Sequence, residues 1–485
     1  MLEIITNFLS RRRTSRTRPK VRSPQRSRPH LETLEDRLAP AGTFTWVGGD
    51  PGNVNTWADQ KNWIAVGANE TYPGQNNEIN DFVKFDNNAK ADAYLLNNLT
   101  VQTLTLAANF GFKFEVQGGK TLTDATPTGT VGANFFDMEG GTLNLRGGAS
   151  LALDGGAPNM GSSSALWSGG DFNSAGDLNG KVYIYKGIQF TIQENAAKLG
   201  ATLIIGQSPA GVDATATVQL ASKDGTVGLA GNLSLYKNAS IQVKPQGIFL
   251  LNQQSSSNTK GGIVNSAFSN GAIDNQGQIA RVVVDMTNTN YLTIGPTVTN
   301  SAAGALFTMN NNTKIDFQGT FVLQKGILSK AAGSDNKGKI IEPPGGTGTI
   351  EIEPAGTVGR YSVFFSDDVI FQAGSTGGIV FDNILPGAFA TLNFAGQLDL
   401  EAGNYVSLNV DGGTGQSDIL FVSGLTTLNA ATLNVYTENQ SYPGSGFLFF
   451  TAMGGLAGSG WYGNPVNSGY PANYVFDSPS TFHSI

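Results

Sequence analysis

Short runs of alternating apolar and polar residues recur along most of the chain. Leu99–Leu106 (LTVQTLTL), Gly141–Leu145 (GTLNL), Ala149–Leu153 (ASLAL), Ala201–Ile205 and Ala239–Val243 come first. Gly319–Leu323, Gly348–Ile352 (GTIEI), Ala390–Phe394 and Ala431–Val435 follow. A period of two puts every second side chain on one face, so each run predicts a short strand with one buried and one wet side. Gly, Asn, Ser and Asp stand between the runs, which favours strands and turns over long helices. Two architectures satisfy this pattern: a right-handed parallel β-helix (solenoid), or a row of antiparallel β-sandwiches. Asn97-Asn98, Gly118-Gly119, Gly147-Gly148 and Asn310–Asn312 supply corner residues that tolerate positive φ, and they tip the expectation toward an all-β parallel β-helix. Coils of about 20 to 25 residues over positions 91–430 would give on the order of 15 coils and a rod roughly 70 Å long.

Four segments follow from the pattern: a basic leader over 1–42, a Trp-rich cap over 43–90, repeats over 91–430, and a closing β segment and tail over 431–485. Charge separates the first from the rest. Residues 1–40 hold 10 Lys/Arg and 4 Asp/Glu, against 20 and 33 in the remainder of a chain of net charge −7. The acidic body is not expected to bind nucleic acid through its net field. The leader, poor in apolar residues and rich in Arg, Ser and Pro, is expected to be disordered or to form a short helix, and reads as a nucleic-acid arm, a membrane-surface segment or a targeting address. No run approaches the roughly 18 apolar residues of a membrane-spanning helix.

Within the leader, Leu31, Leu34 and Leu38 share one helical face, with Glu32, Glu35, Asp36 and Arg37 elsewhere and Pro40-Ala41 following. A basic stretch followed by Leu-Glu-x-Leu-Glu-Asp-Arg-x-x-Pro-Ala resembles the N-terminal export motif of large planctomycete surface proteins. The resemblance implies export to the cell surface or beyond, with processing near Ala39–Gly42.

Trp46, Trp57 and Trp63 fall within 18 residues of a chain that has 5 Trp in all. They read either as aromatic cover for an exposed coil end or as a stacking platform for sugars. Their arrangement, with Gly48-Gly49 and Pro73-Gly74, looks like the opening of autotransporter-passenger and related β-helix proteins. Residues 167–192 and 263–279 resemble coils of such proteins, and 394–436 their closing segment. No β-barrel translocator follows Tyr442, which argues against a self-secreting autotransporter.

The chemistry available to the body is restricted. There is no Cys, and the two His are His30 and His483, so the repeats contain neither thiolate nor imidazole for a triad or zinc cluster. No cofactor and no metal is expected. Glu351 and Glu353 share a strand face roughly 6.5 to 7 Å apart, within the range of inverting glycosidases, as any Glu-x-Glu strand would be. Asp367-Asp368 read as turn residues, with no basic partner nearby in sequence. Gly118–Thr121 (GGKT) lacks the upstream Gly of a phosphate loop and is a turn. Asp418 falls one position late for a calcium nonapeptide, which also occurs as stacked copies. The expectation is an exported structural or adhesive repeat protein without catalysis, meeting a surface or matrix partner such as polysaccharide or neighbouring copies. The alternatives are a carbohydrate-binding module using Trp46, Trp57 and Trp63, and a polysaccharide lyase or hydrolase.

Overall fold

The computed structural model describes residues 42–49, 55–75, 81–125, 134–138, 142–145, 150–154, 164–167, 171–173, 181–185, 188–192, 197–199, 202–220, 232–235, 240–251, 262–265, 272–281, 291–353, 359–381, 387–411, 414–437, 448–462, 474–478 and 481–484. The chain divides between Ala39 and Pro40 into two units, the first of which lies outside these residues, as does the export motif.

The second unit is all-β. Its described helical content is a single 3-10 turn, Gln60–Asn62, capped by the Asp59 carboxylate, which accepts from Lys61 N–H at 3.0 Å. Strands of mostly three to five residues assemble into one sheet of 30 and another of 16 strands. Most strands in the repeats hydrogen-bond in parallel to the third strand before and the third strand after; around the hairpin strand Gln416–Ser417 the interval changes, with Ala388–Phe394 pairing to Ile419–Val422 and Leu398–Leu400 to Thr426–Thr437. Leu151 thus lies beside Val182, Val182 beside Leu203, Leu203 beside Ile241, and Ile241 beside Ile273. Three such ladders run side by side, two in the larger sheet and one in the smaller. Parallel neighbours exclude a row of antiparallel sandwiches. Antiparallel pairs occur at Thr43–Trp46 with Trp63–Val66, in the hairpin Tyr405–Asp411 with Gln416–Ser417, and around Thr481–Ser484.

The alternation is realised as predicted: Ile350 and Ile352 are buried beside half-buried Thr349 and Glu351, and Gly247, Phe249 and Leu251 are buried beside half-buried Ile248 and Leu250. Inward residues stack in register into apolar columns, so each coil covers the core of its neighbours and one cluster extends from Phe44 to Ala452. The spacing between stacked residues varies more than expected, from 19 (Phe321 to Ile340) to 39 (Phe44 to Val83). The reason is that only the strands need to stay in register, and loops at the corners can lengthen at little entropic cost. The ladders run through positions 90 and 430: Phe82–Phe85 pairs with both Thr43–Trp46 and Thr103–Leu106, and Thr426–Thr437 spans the second boundary. Corners where backbones meet take glycine. Gly338 has φ +89°, and a Cβ there would lie 2.0 Å from the Phe317 carbonyl oxygen.

Candidate functional site

Polar residues enter the interior at or next to the ends of strands, on the inward side of the alternation. Glu342 follows Ile340, Asn275 follows Ile273, Asn300 follows Val298, Lys330 follows Leu328, and Asp124 follows Leu122. Each is buried. Asn275 and Asn300 are stacked in register, and the Asn275 amide donates to Asn300 Oδ1 at 2.8 Å while Asn300 donates to the Ile327 carbonyl at 2.9 Å. Glu342 Oε1 accepts the N–H groups of Gly348 (3.1 Å) and Gly377 (3.0 Å). Its desolvation outweighs these two bonds and a contribution from Ser375, and the carboxyl is pushed up to about 7. Asp124 is likewise raised well above the ordinary carboxylate range by burial, which the Leu104 backbone N–H offsets in part.

The densest constellation joins two strands across the corner formed by residues 331–334. Lys330, the last residue of Ile327–Lys330, is fully buried and neighbours Met309 and Ile352 in its ladder. Its ammonium donates to Asn336 Oδ1 at 2.5 Å and to the Phe364 carbonyl at 2.8 Å, and lies 3.9 Å from the centre of the Phe365 ring. Burial lowers Lys330 to about 7, against an opposing pull from the Asp335 charge. Asn336 is buried between Ile315 and Phe365 in the smaller sheet.

One residue away, Asp335 points to the other side of that strand. It accepts from Ser366 Oγ at 2.9 Å and from the Tyr291 hydroxyl, and Tyr291 is pushed up to about 12, by desolvation first and then by Asp335. The Lys337 and Lys314 ammonium groups stand 4.2 and 5.6 Å from the centre of the Tyr291 ring. An outer layer of Tyr, Asp and Lys therefore backs an inner Lys–Asn contact.

The residues singled out in the sequence lie elsewhere. Trp46, Trp57 and Trp63 are buried together at one end, with ring centres 4.9 Å (Trp46–Trp63) and 4.7 Å (Trp57–Trp63) apart. Their indole N–H groups donate to the carbonyls of Ala91, Pro73 and Trp57 respectively. Glu351 and Glu353 are both half-buried on the outward face, and Glu353 accepts from the Ser329 hydroxyl. Asp367 and Asp368 form a turn in which Asp368 Oδ1 accepts from Gln397 N–H at 3.0 Å. Their basic neighbour is Lys339, 3.6 Å from Asp368, which the fold supplies from the preceding coil. Gly118 and Gly119 form a turn, Gly119 with φ +71°. Asp418 is fully buried and accepts from Ala390 N–H and Asn409 N–H, both at 2.8 Å. Its charge also acts on Arg360, which spans from Thr391 Oγ1 to the Ser417 carbonyl.

Among the described residues there is no group of three or more His, Cys, Asp or Glu placed to hold a metal ion, and no helix long and apolar enough to cross a membrane. No protein-family model matches the chain, and no curated protein matches it.

Proposed function

We propose that the chain is an exported cell-surface protein whose body is a right-handed parallel β-helix with a structural or adhesive role and no catalysis. The observation that carries this reading is the parallel strand pairing, mostly to the third strand on, that runs from Phe44 to Ala452 around one apolar core. Right-handed crossover is the rule for parallel strands joined within a sheet, and it gives the coils their hand. Several polar groups considered above are engaged in holding backbone: Asp418, Glu342 and Asp368 accept main-chain N–H groups. That is the usage of a scaffold. The three indoles offer no support for sugar stacking, because they are buried against one another. Export rests on the Leu31–Ala41 motif.

The test is to express the chain in a planctomycete host, label intact cells with a membrane-impermeant amine reagent, and sequence the N-terminus of the labelled protein. The expected result is surface labelling with a mature N-terminus between Ala39 and Gly42. An intracellular protein that retains residues 1–38 would refute the export reading.

A further inference from the structure

We propose that Lys330 and Asn336 are joined by an autocatalytic intramolecular amide bond, a covalent staple across the corner between the two sheets. The Lys330 nitrogen lies 2.5 Å from Asn336 Oδ1. With a C=O bond of about 1.23 Å, that contact places the nitrogen roughly 3 to 3.7 Å from Cγ and close to the line of the C=O bond, so attack requires the Asn336 amide to turn about Cβ–Cγ and present its face to the nitrogen. Both side chains are fully buried, so bulk water does not compete for the amide carbon.

The corner is held rigidly by backbone bonds to the coils on either side. Asn312 N–H donates to the Ala332 carbonyl at 2.8 Å, Asp335 N–H to that of Thr313 at 2.9 Å, and Gly333 N–H to that of Ser362 at 2.7 Å. The Phe365 ring on one side, with Met309, Ile352 and Ile315 as inward neighbours in register, makes the surroundings apolar. Such surroundings favour the neutral amine, which is the nucleophile.

The step balances within the two side chains. The neutral Nζ lone pair attacks Cγ of Asn336, and the Cγ=O electrons move to Oδ1. The Nζ–Cγ bond is then complete, with positive charge on Nζ that the Asp335 charge stabilises from the other side of the strand. A proton passes from Nζ to Nδ2, the Oδ1 electrons return, and the Cγ–Nδ2 bond breaks to release ammonia. Nothing is oxidised or reduced, and the product is a secondary amide 17 Da lighter than the reactants. This chemistry is independent of the export reading, since it needs only the folded repeat.

The experiment is peptide mapping of the full-length wild-type protein by trypsin and tandem mass spectrometry after complete denaturation, with acetic anhydride labelling of free amines after digestion. The expected product is a peptide 17 Da light, uncleaved after Lys330, unlabelled there, and giving branched fragments that join Lys330 to Asn336. Replacement Asn336→Ser restores full mass and cleavage at Lys330. If the wild-type peptide keeps its full mass and is cut and labelled at Lys330, the proposal is wrong. A mass loss of 17 Da with Lys330 still cleavable also overturns it, because that result marks a succinimide at Asn336.

Discussion

Glu342 carries a carboxyl group into the interior beside Phe371, where glycine backbone closes around it. A Cβ on Gly377 would lie 2.4 Å from Glu342 Oε1 and 2.0 Å from the Gly348 carbonyl oxygen, so Gly377→Ala should destabilise the protein by about 1 to 3 kcal/mol, read as a lowered urea midpoint. The carboxyl itself gives stability a pH dependence. Its ionisation moves from 4.5 in the unfolded chain to about 7 in the fold, so between those values the folded state holds a proton that the unfolded state has lost. The contribution is fully present below about 4.5, falls as pH rises toward 7, and amounts to at most about 3 kcal/mol. Glu342→Gln keeps an acceptor for the Gly348 and Gly377 N–H groups and removes the titration. The expected result is that the variant gains on wild type between pH 5 and pH 8 in denaturant midpoint; a difference that stays constant with pH would refute this account.

At the scale of the element, a strand here is a segment of three to five residues whose inward positions must match those of the coils above and below. Asn275 and Asn300 meet this requirement with a ladder in which the Asn275 amide group bonds the Asn300 carbonyl oxygen, while both also reach backbone carbonyls, Leu306 and Ile327. Asn300→Ala should cost about 1 to 3 kcal/mol, because it leaves the Ile327 carbonyl and one Asn275 interaction unsatisfied. Because the two amides share a bond, the Asn275→Ala/Asn300→Ala double variant should cost less than the sum of the singles, by about 0.5 kcal/mol or more in a double-mutant cycle. None of these sites stands out from the alternation alone. Polar residues at inward positions, as in AIDN, TVTN, KIIE and ILSK, are visible in the sequence once the face of each strand is known.

At the scale of the whole molecule, the proposed β-helix implies that each coil is stabilised by its neighbours and that stability is approximately a sum of local terms. The aromatic group of Trp46, Trp57, Trp63, Phe85 and Phe114 closes the core at the N-terminal end of the repeats. Trp63→Ala should cost about 3 to 5 kcal/mol, concentrated at that end. In hydrogen-exchange mass spectrometry, protection is expected to fall over Thr43–Leu106 and to persist at Thr349–Ile352 and Ala388–Phe394. Uniform loss across all three segments would mean that the repeats unfold as one cooperative body.

The sequence by itself determined the class of the body: alternation every two residues, broken by Gly and Asn, leaves little but short strands with one buried face. It also placed the Trp cluster at one end and removed thiolate and imidazole chemistry from the repeats. What only tertiary structure decided is which residues meet. The return from one strand to its stacked partner takes anywhere from 19 to 39 residues, so no fixed period in the sequence leads from Asn275 to Asn300, from Lys339 to Asp368, or from Tyr291 to Asp335. Lys330 and Asn336 are only six residues apart, yet their contact depends on a corner that turns both side chains into the same core. Pairing across coils is set by register, and register is a property of the folded stack.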